Sequence, residues 1–124
     1  VDNRTVALRI PNGSMSATRI EHRVAGADAN PYLAMAAMLS GALHGIDNKL
    51  ILGSQTTGNG AKKVAPSLPL NWADAYGILG NSEFAANAFG ADFLWVYTQV
   101  QQQEYDEFNR HVSSLEIDWY QRTL

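Results

Sequence analysis

The sequence predicts an α+β fold: a β-hairpin over about residues 5–10 and 19–24, packed with a mainly α-helical C-terminal region. Three observations predict it. Val6, Leu8 and Ile10 alternate with Thr5, Ala7 and Arg9, and Ile20, His22 and Val24 alternate with Arg19, Glu21 and Arg23, the period of strands. Asn30-Pro31 opens a long apolar stretch with a favoured helix-start pair. Farther on, Phe93, Tyr97, Val100, Phe108, Val112 and Leu115 recur on one helical stripe.

Pro11-Asn12-Gly13-Ser14 ends the first strand, because proline cannot donate to a ladder and Asn-Gly favours a turn. An antiparallel return then places Arg9, Arg19, Glu21 and Arg23 on one face and Val6, Leu8, Ile10, Ile20 and Val24 on the other. The helix from Pro31 runs to about Ile46 and is apolar nearly all round, so it calls for burial among other elements. Residues 53–70 carry Gly53, Gly58, Gly60, Pro66 and Pro69 around Lys62-Lys63 and read as an exposed or mobile connection. Asn71-Trp72-Ala73-Asp74 begins a short helix ending near Gly80, and Ser82 caps another turn containing Glu83. The last long helix starts after Gly90, with Asp92 near its positive end. Gln101-Gln102-Gln103-Glu104 interrupts its stripe, and 116–124 reads as one or two further turns.

Composition narrows the function classes. Of the residues, 46% are hydrophobic, so the chain is globular rather than disordered. A net charge of −3 argues against a general nucleic-acid binder. No apolar run approaches the roughly 20 residues that cross a bilayer, and no signal peptide is expected. With no cysteine, disulfides and thiolate metal sites are excluded, and a cytoplasmic location is compatible. The chain starts at Val1, close to a strand, so it is expected to be part of a longer protein and to hold its site only in part.

Charge is unevenly placed. Four of the six arginines lie in the first 23 residues, where Asp2 and Glu21 are the only acids. The plain reading of Arg9, Arg19, Glu21 and Arg23 is a cross-strand ion network on a solvated face. The functional reading is an anion pocket, since guanidinium forks suit phosphate and carboxylate and keep their charge. Forks converging on one space stabilise a transferring phosphoryl group, and Glu21 would orient them or bind a hard metal such as Mg²⁺ or Mn²⁺. His22 falls on the apolar strand face and reads as a core histidine; His44 and His111 share no metal spacing with it. Lys62-Lys63 reads as solvated loop, and Trp95, Tyr97 and Trp119 as core or interface anchors. There is no P-loop, no G-x-G-x-x-G and no G-x-S-x-G.

Three blocks in order carry a resemblance. Asn3-Arg4-Thr5-Val6-Ala7-Leu8-Arg9-Ile10-Pro11, Arg19-Ile20-Glu21-His22-Arg23 and Ala29-Asn30-Pro31-Tyr32-Leu33-Ala34 resemble the C-terminal half of the glutamine synthetase catalytic domain. The family pattern is N-R-S/T-x-x-x-R-I-P, R-x-E-x-R and A-N-P-Y-L, and the likeness extends over essentially the whole chain, 1–124. The wording from Glu21 to Leu33 is similar to the γ-glutamylputrescine or γ-glutamylpolyamine synthetase branch.

The resemblance implies a ligase that joins the γ-carboxylate of glutamate to ammonia or a primary amine through γ-glutamyl phosphate. It implies ATP and Mg²⁺ or Mn²⁺. Arg4 and Arg9 match arginines at the ATP phosphates and the phosphoryl group in transfer, and Arg19 a residue on the nucleotide side. Glu21 matches a metal ligand, and Arg23 an arginine near the substrate's reacting carboxylate. One departure is Ser16, where the family often has lysine. No nucleic-acid or membrane partner is implied, the full-length protein is expected to form a homo-oligomer, and the segment alone is expected to be inactive. The competing readings are a non-catalytic module of the same family and a helical interaction domain whose arginine face binds an acidic partner.

Overall fold

The computed structural model describes residues 3–62 and 68–121, which fall into two compact units divided after residue 67. They are mostly helical, with one small two-stranded antiparallel sheet. Lys63 and Pro66 of the predicted connection, and the last three residues of the predicted tail, lie outside the described residues.

In the first unit, β1 (Leu8–Arg9) pairs with β2 (Glu21–His22), placing Leu8 opposite His22 and Arg9 opposite Glu21. A bond from the Arg23 amide to the Ala7 carbonyl, 2.9 Å, extends the pairing by one step. The ladder is much shorter than the predicted 5–10 and 19–24, for two physical reasons. The Thr5 amide donates to Asn3 Oδ1 at 3.0 Å, so the chain at Thr5 is committed to a local turn. The apolar face is also uncovered: Leu8, Ile10, Ile20 and Val24 are all exposed, and a two-stranded ribbon without burial is barely stable. Met15–Ala17 forms a single 3-10 turn between the strands. His22, expected in a core, is exposed, because this hairpin has no core behind it.

Helix α1 (Pro31–Asp47) begins as its sequence dictates. Asn30 Oδ1 accepts from the amides of Tyr32 and Leu33 at 3.0 and 3.2 Å, and Pro31 occupies the first turn. It ends in a Schellman arrangement, with Leu50 bonded to Gly45 and Lys49 to Ile46; Lys49 takes the left-handed conformation at φ 50°. Near this end Asn48 Nδ2 lies 3.3 Å from His44 Nδ1. The burial that its composition calls for is absent. No residue of α1 is buried, and Tyr32, Leu39, Leu43 and Ile46 stand open. The connection after α1 is not loose along its whole length, because residues 56–60 bond back to Asn3 and Thr5.

The second unit is built on α4 (Ala91–Arg110), against which α2 (Trp72–Gly80) and α3 (Glu83–Phe89) pack. Asn71 and Ser82 cap the short helices through the amides of Asp74 and Ala85. The buried centre is small: Ala85, Leu94 at 4% exposure, and Thr98, whose hydroxyl donates to the carbonyls of Leu94 and Trp95. Gly80 lets α2 approach closely, since a β-carbon there would lie 3.3 Å from Thr98 Cγ2. Trp72 meets Tyr105 and Phe108 edge-on at 5.8 and 6.3 Å. Its indole N–H donates to Gln101 Oε1 at 3.0 Å, so part of the polar interruption serves an aromatic of α2.

The predicted stripe is cut short. Helix α4 stops at Arg110, and Val112 and Leu115 lie beyond it. The cause is the capping box of α5 (Ser114–Tyr120): Glu116 N–H donates to Ser113 Oγ, and Ser113 N–H to Glu116 Oε2 at 2.8 Å. That box holds the Glu116 carboxyl below its usual pKa, chiefly through the Ser113 amide. Trp95 and Trp119 are exposed and are not core anchors of this unit. Leu94→Ala is expected to cost about 2–4 kcal/mol in the unfolding of this helical unit, checked by denaturant melts.

Candidate functional site

The hairpin register creates the site. Because Arg9 lies opposite Glu21 and strand side chains alternate faces, Arg9, Arg19, Glu21 and Arg23 emerge on one side. The Glu21 carboxylate is their common partner. Arg9 places Nε at 2.7 Å and Nη2 at 2.6 Å from Glu21 Oε2. Arg19 Nη2 lies 2.9 Å from Oε1, and Arg23 Nη1 approaches Oε2 at 3.8 Å. Among the described residues, three guanidinium groups thus surround one carboxylate.

The members differ in exposure. The side chains of Arg9 and Glu21 are 17% and 21% exposed, so this pair is largely screened from water, while Arg19 at 59% reaches outward. Glu21 is held below the usual carboxylate pKa, first by the Arg9 hydrogen bond, against a smaller opposing effect of burial, with the charge of Arg9 and the bond and charge of Arg19 adding to it. It therefore stays ionised, and the arginines keep an orienting anion at neutral pH. Guanidinium forks held in this way are chemically suited to oxyanions such as phosphate or carboxylate.

Arg4 is not brought into this cluster. It is exposed, lies on the turn before β1, and makes no hydrogen bond or ion pair among the described residues. Ser16, at the position where the resemblance would place lysine, sits in the 3-10 turn with its hydroxyl 2.9 Å from that of Ser14. Among the described residues no three His, Cys, Asp or Glu side chains gather to hold a metal. The donors among the described residues therefore do not form a metal centre by themselves.

The structure adds residues that the pattern of charges did not single out. Asn3 Oδ1 accepts from the Thr5 amide at 3.0 Å and from the Thr5 hydroxyl at 2.6 Å. Asn3 Nδ2 donates to the carbonyls of Gly58 at 2.9 Å and Thr56 at 3.4 Å. The Gly60 amide donates to Thr5 Oγ1 at 2.7 Å. The local Asn-x-Thr turn is a readable signal; its partner some 55 residues away is not.

Residues 1–120 match the family described as "Glutamine synthetase, catalytic domain". The chain belongs to the glutamine synthetase family. It is 43% identical over 118 residues to gamma-glutamylputrescine synthetase PuuA of Escherichia coli, covering 95% of this chain and 25% of that protein. It is 42% identical over 123 residues to glutamate–isopropylamine ligase of a Pseudomonas species, covering 96% and 27%. It is 38% identical over 125 residues to type-1 glutamine synthetase 2 of Dictyostelium discoideum, covering 97% and 24%. The chain thus spans about a quarter of the length of the curated relatives it matches. In this glutamine synthetase family chain, no helix among the described residues is long and apolar enough to cross a membrane.

The sign of the pH dependence follows from the lowered pKa of Glu21. A carboxylate depressed in the folded state stabilises the hairpin above the unfolded pKa of about 4.3, and that contribution is lost as pH falls through the folded value. An NMR titration of the Glu21 side chain is expected to show a midpoint below that of an unpaired glutamate, and Arg9→Ala is expected to move it upward.

Proposed function

We propose that this chain is the C-terminal part of the catalytic domain of an ATP-dependent ligase joining the γ-carboxylate of glutamate to ammonia or a primary amine. The observation that carries the reading is the Glu21-centred trio of arginines in a chain of this family. The names of two relatives, a γ-glutamylputrescine synthetase and a glutamate–isopropylamine ligase, favour an amine acceptor within that class.

In this proposal a glutamate γ-carboxylate oxygen attacks the terminal phosphorus of ATP and ADP departs. The amine nitrogen then attacks the acyl carbon of γ-glutamyl phosphate, phosphate leaves, and the amine gives up a proton. Arg4 and Arg9 bind the phosphates and offset the charge of the group in transfer. Arg19, the most exposed member of the cluster, meets the nucleotide, and Arg23 orients the reacting carboxylate. Glu21 keeps Arg9 and Arg19 aimed and would offer one oxygen to Mg²⁺ or Mn²⁺. When bound, the metal ion supplies charge neutralisation of the phosphates. The full-length protein is proposed to be a cytoplasmic homo-oligomer without nucleic-acid or membrane partners, and the fold described above to be one part of the glutamine synthetase catalytic fold.

In full-length protein, ATP-dependent phosphate release with glutamate, assayed over ammonia and a panel of mono- and diamines, tests the reading. Arg9→Ala is expected to lower kcat by about 10²–10³, and Glu21→Ala to weaken the metal dependence. Residues 1–124 alone are expected to show no turnover above a Glu21→Ala control. A full-length protein that binds an acidic protein partner through this face, with no response to ATP, would overturn the proposal in favour of an interaction module.

A further inference from the structure

We propose that Asn3 and Thr5 are positioning residues of this site, which clamp the 56–60 loop to the base of the arginine strand and thereby fix Arg4 between them. The positioning role rests on the ligase reading above; the clamp itself does not.

The clamp is a closed hydrogen-bond circuit. The Thr5 hydroxyl has one proton and spare lone pairs; it donates to Asn3 Oδ1 at 2.6 Å and accepts from the Gly60 amide at 2.7 Å. Asn3 uses its oxygen on Thr5 and its nitrogen on Gly58 and Thr56, so each side spans from the turn to the loop. The loop is built for close approach. A β-carbon at Gly60 would lie 2.7 Å from the Thr5 carbonyl oxygen, and Gly58 takes φ +72°, a conformation that side chains rarely adopt.

The circuit places Arg4 in a particular way. Its two chain neighbours are both anchored, while its own side chain is exposed and makes no bond among the described residues. Arg9 is aimed through its side chain, by Glu21. Arg4 has no such partner among the described residues, so its reach is set by where its backbone is held. A flexible arginine on an unheld turn would spend its charge over a wide volume, and a displacement near 1 Å at a reacting group is costly.

Two readouts in full-length protein test this. Thr5→Val removes both bonds of the hydroxyl at nearly constant size, and Thr5→Ser keeps them. Amide hydrogen exchange at Gly60 is expected to accelerate in Thr5→Val and to stay near wild type in Thr5→Ser; unchanged exchange in Thr5→Val overturns the clamp. For catalysis, kcat/KM for ATP is expected to fall by about 10-fold or more in Thr5→Val and to be restored by Thr5→Ser, with KM for glutamate little changed. In an Arg4→Ala background the same Thr5→Val change is expected to add nothing, since it acts through Arg4. A loss that persists undiminished in that background, or that tracks a fall in melting temperature alone, overturns the positioning role. A wild-type protein that does not couple ATP to glutamate amidation overturns the ligase reading and the positioning role with it, while Gly60 exchange still decides the clamp.

Discussion

The carboxylate of Glu21 is the point on which the first unit turns. Only Leu8–Arg9 and Glu21–His22 form the ladder, too little backbone pairing to hold a ribbon whose apolar side is open. The side-chain bridge from Arg9 to Glu21 runs directly across that pairing and ties the two strands where their register places them opposite. The same carboxylate gathers Arg19 and Arg23, which would otherwise repel Arg9 and each other. One anion therefore serves two ends: it closes the hairpin, and it gathers three guanidinium groups.

Among the described residues of the cluster the guanidinium groups outnumber the carboxylates, and the exposure gradient from Arg9 to Arg19 leaves the outer members toward solvent. The loop clamp at Asn3 and Thr5 adds a second, uncharged constraint at the start of the same strand.

The second unit follows a different logic, in which one long helix organises short ones. Local caps at Asn71, Ser82 and Ser113 set where each helix begins, and contacts to α4 decide which faces are covered. Its buried centre is confined to Ala85, Leu94 and Thr98, and many large apolar side chains remain open. The same is true of α1, whose all-round apolar surface exceeds what its own unit can cover.

The sequence by itself determined the features that depend on neighbours along the chain. Asn30-Pro31, Asn71 and Ser82 start helices because capping is satisfied within three residues. Strand alternation puts Arg9, Arg19, Glu21 and Arg23 on one face, since that needs only a period of two and an antiparallel return. The Ser113-x-x-Glu116 box was equally local and was masked only by an apolar stripe that runs past it. Tertiary structure alone decided the rest. It shortened the strands, because Thr5 is committed to Asn3 and the apolar face lacks a cover. It exposed His22 and the α1 surface, because burial depends on what else is present. It separated Arg4 from the other arginines and tied its neighbours to Gly58 and Gly60, contacts some 55 residues apart that no local periodicity encodes.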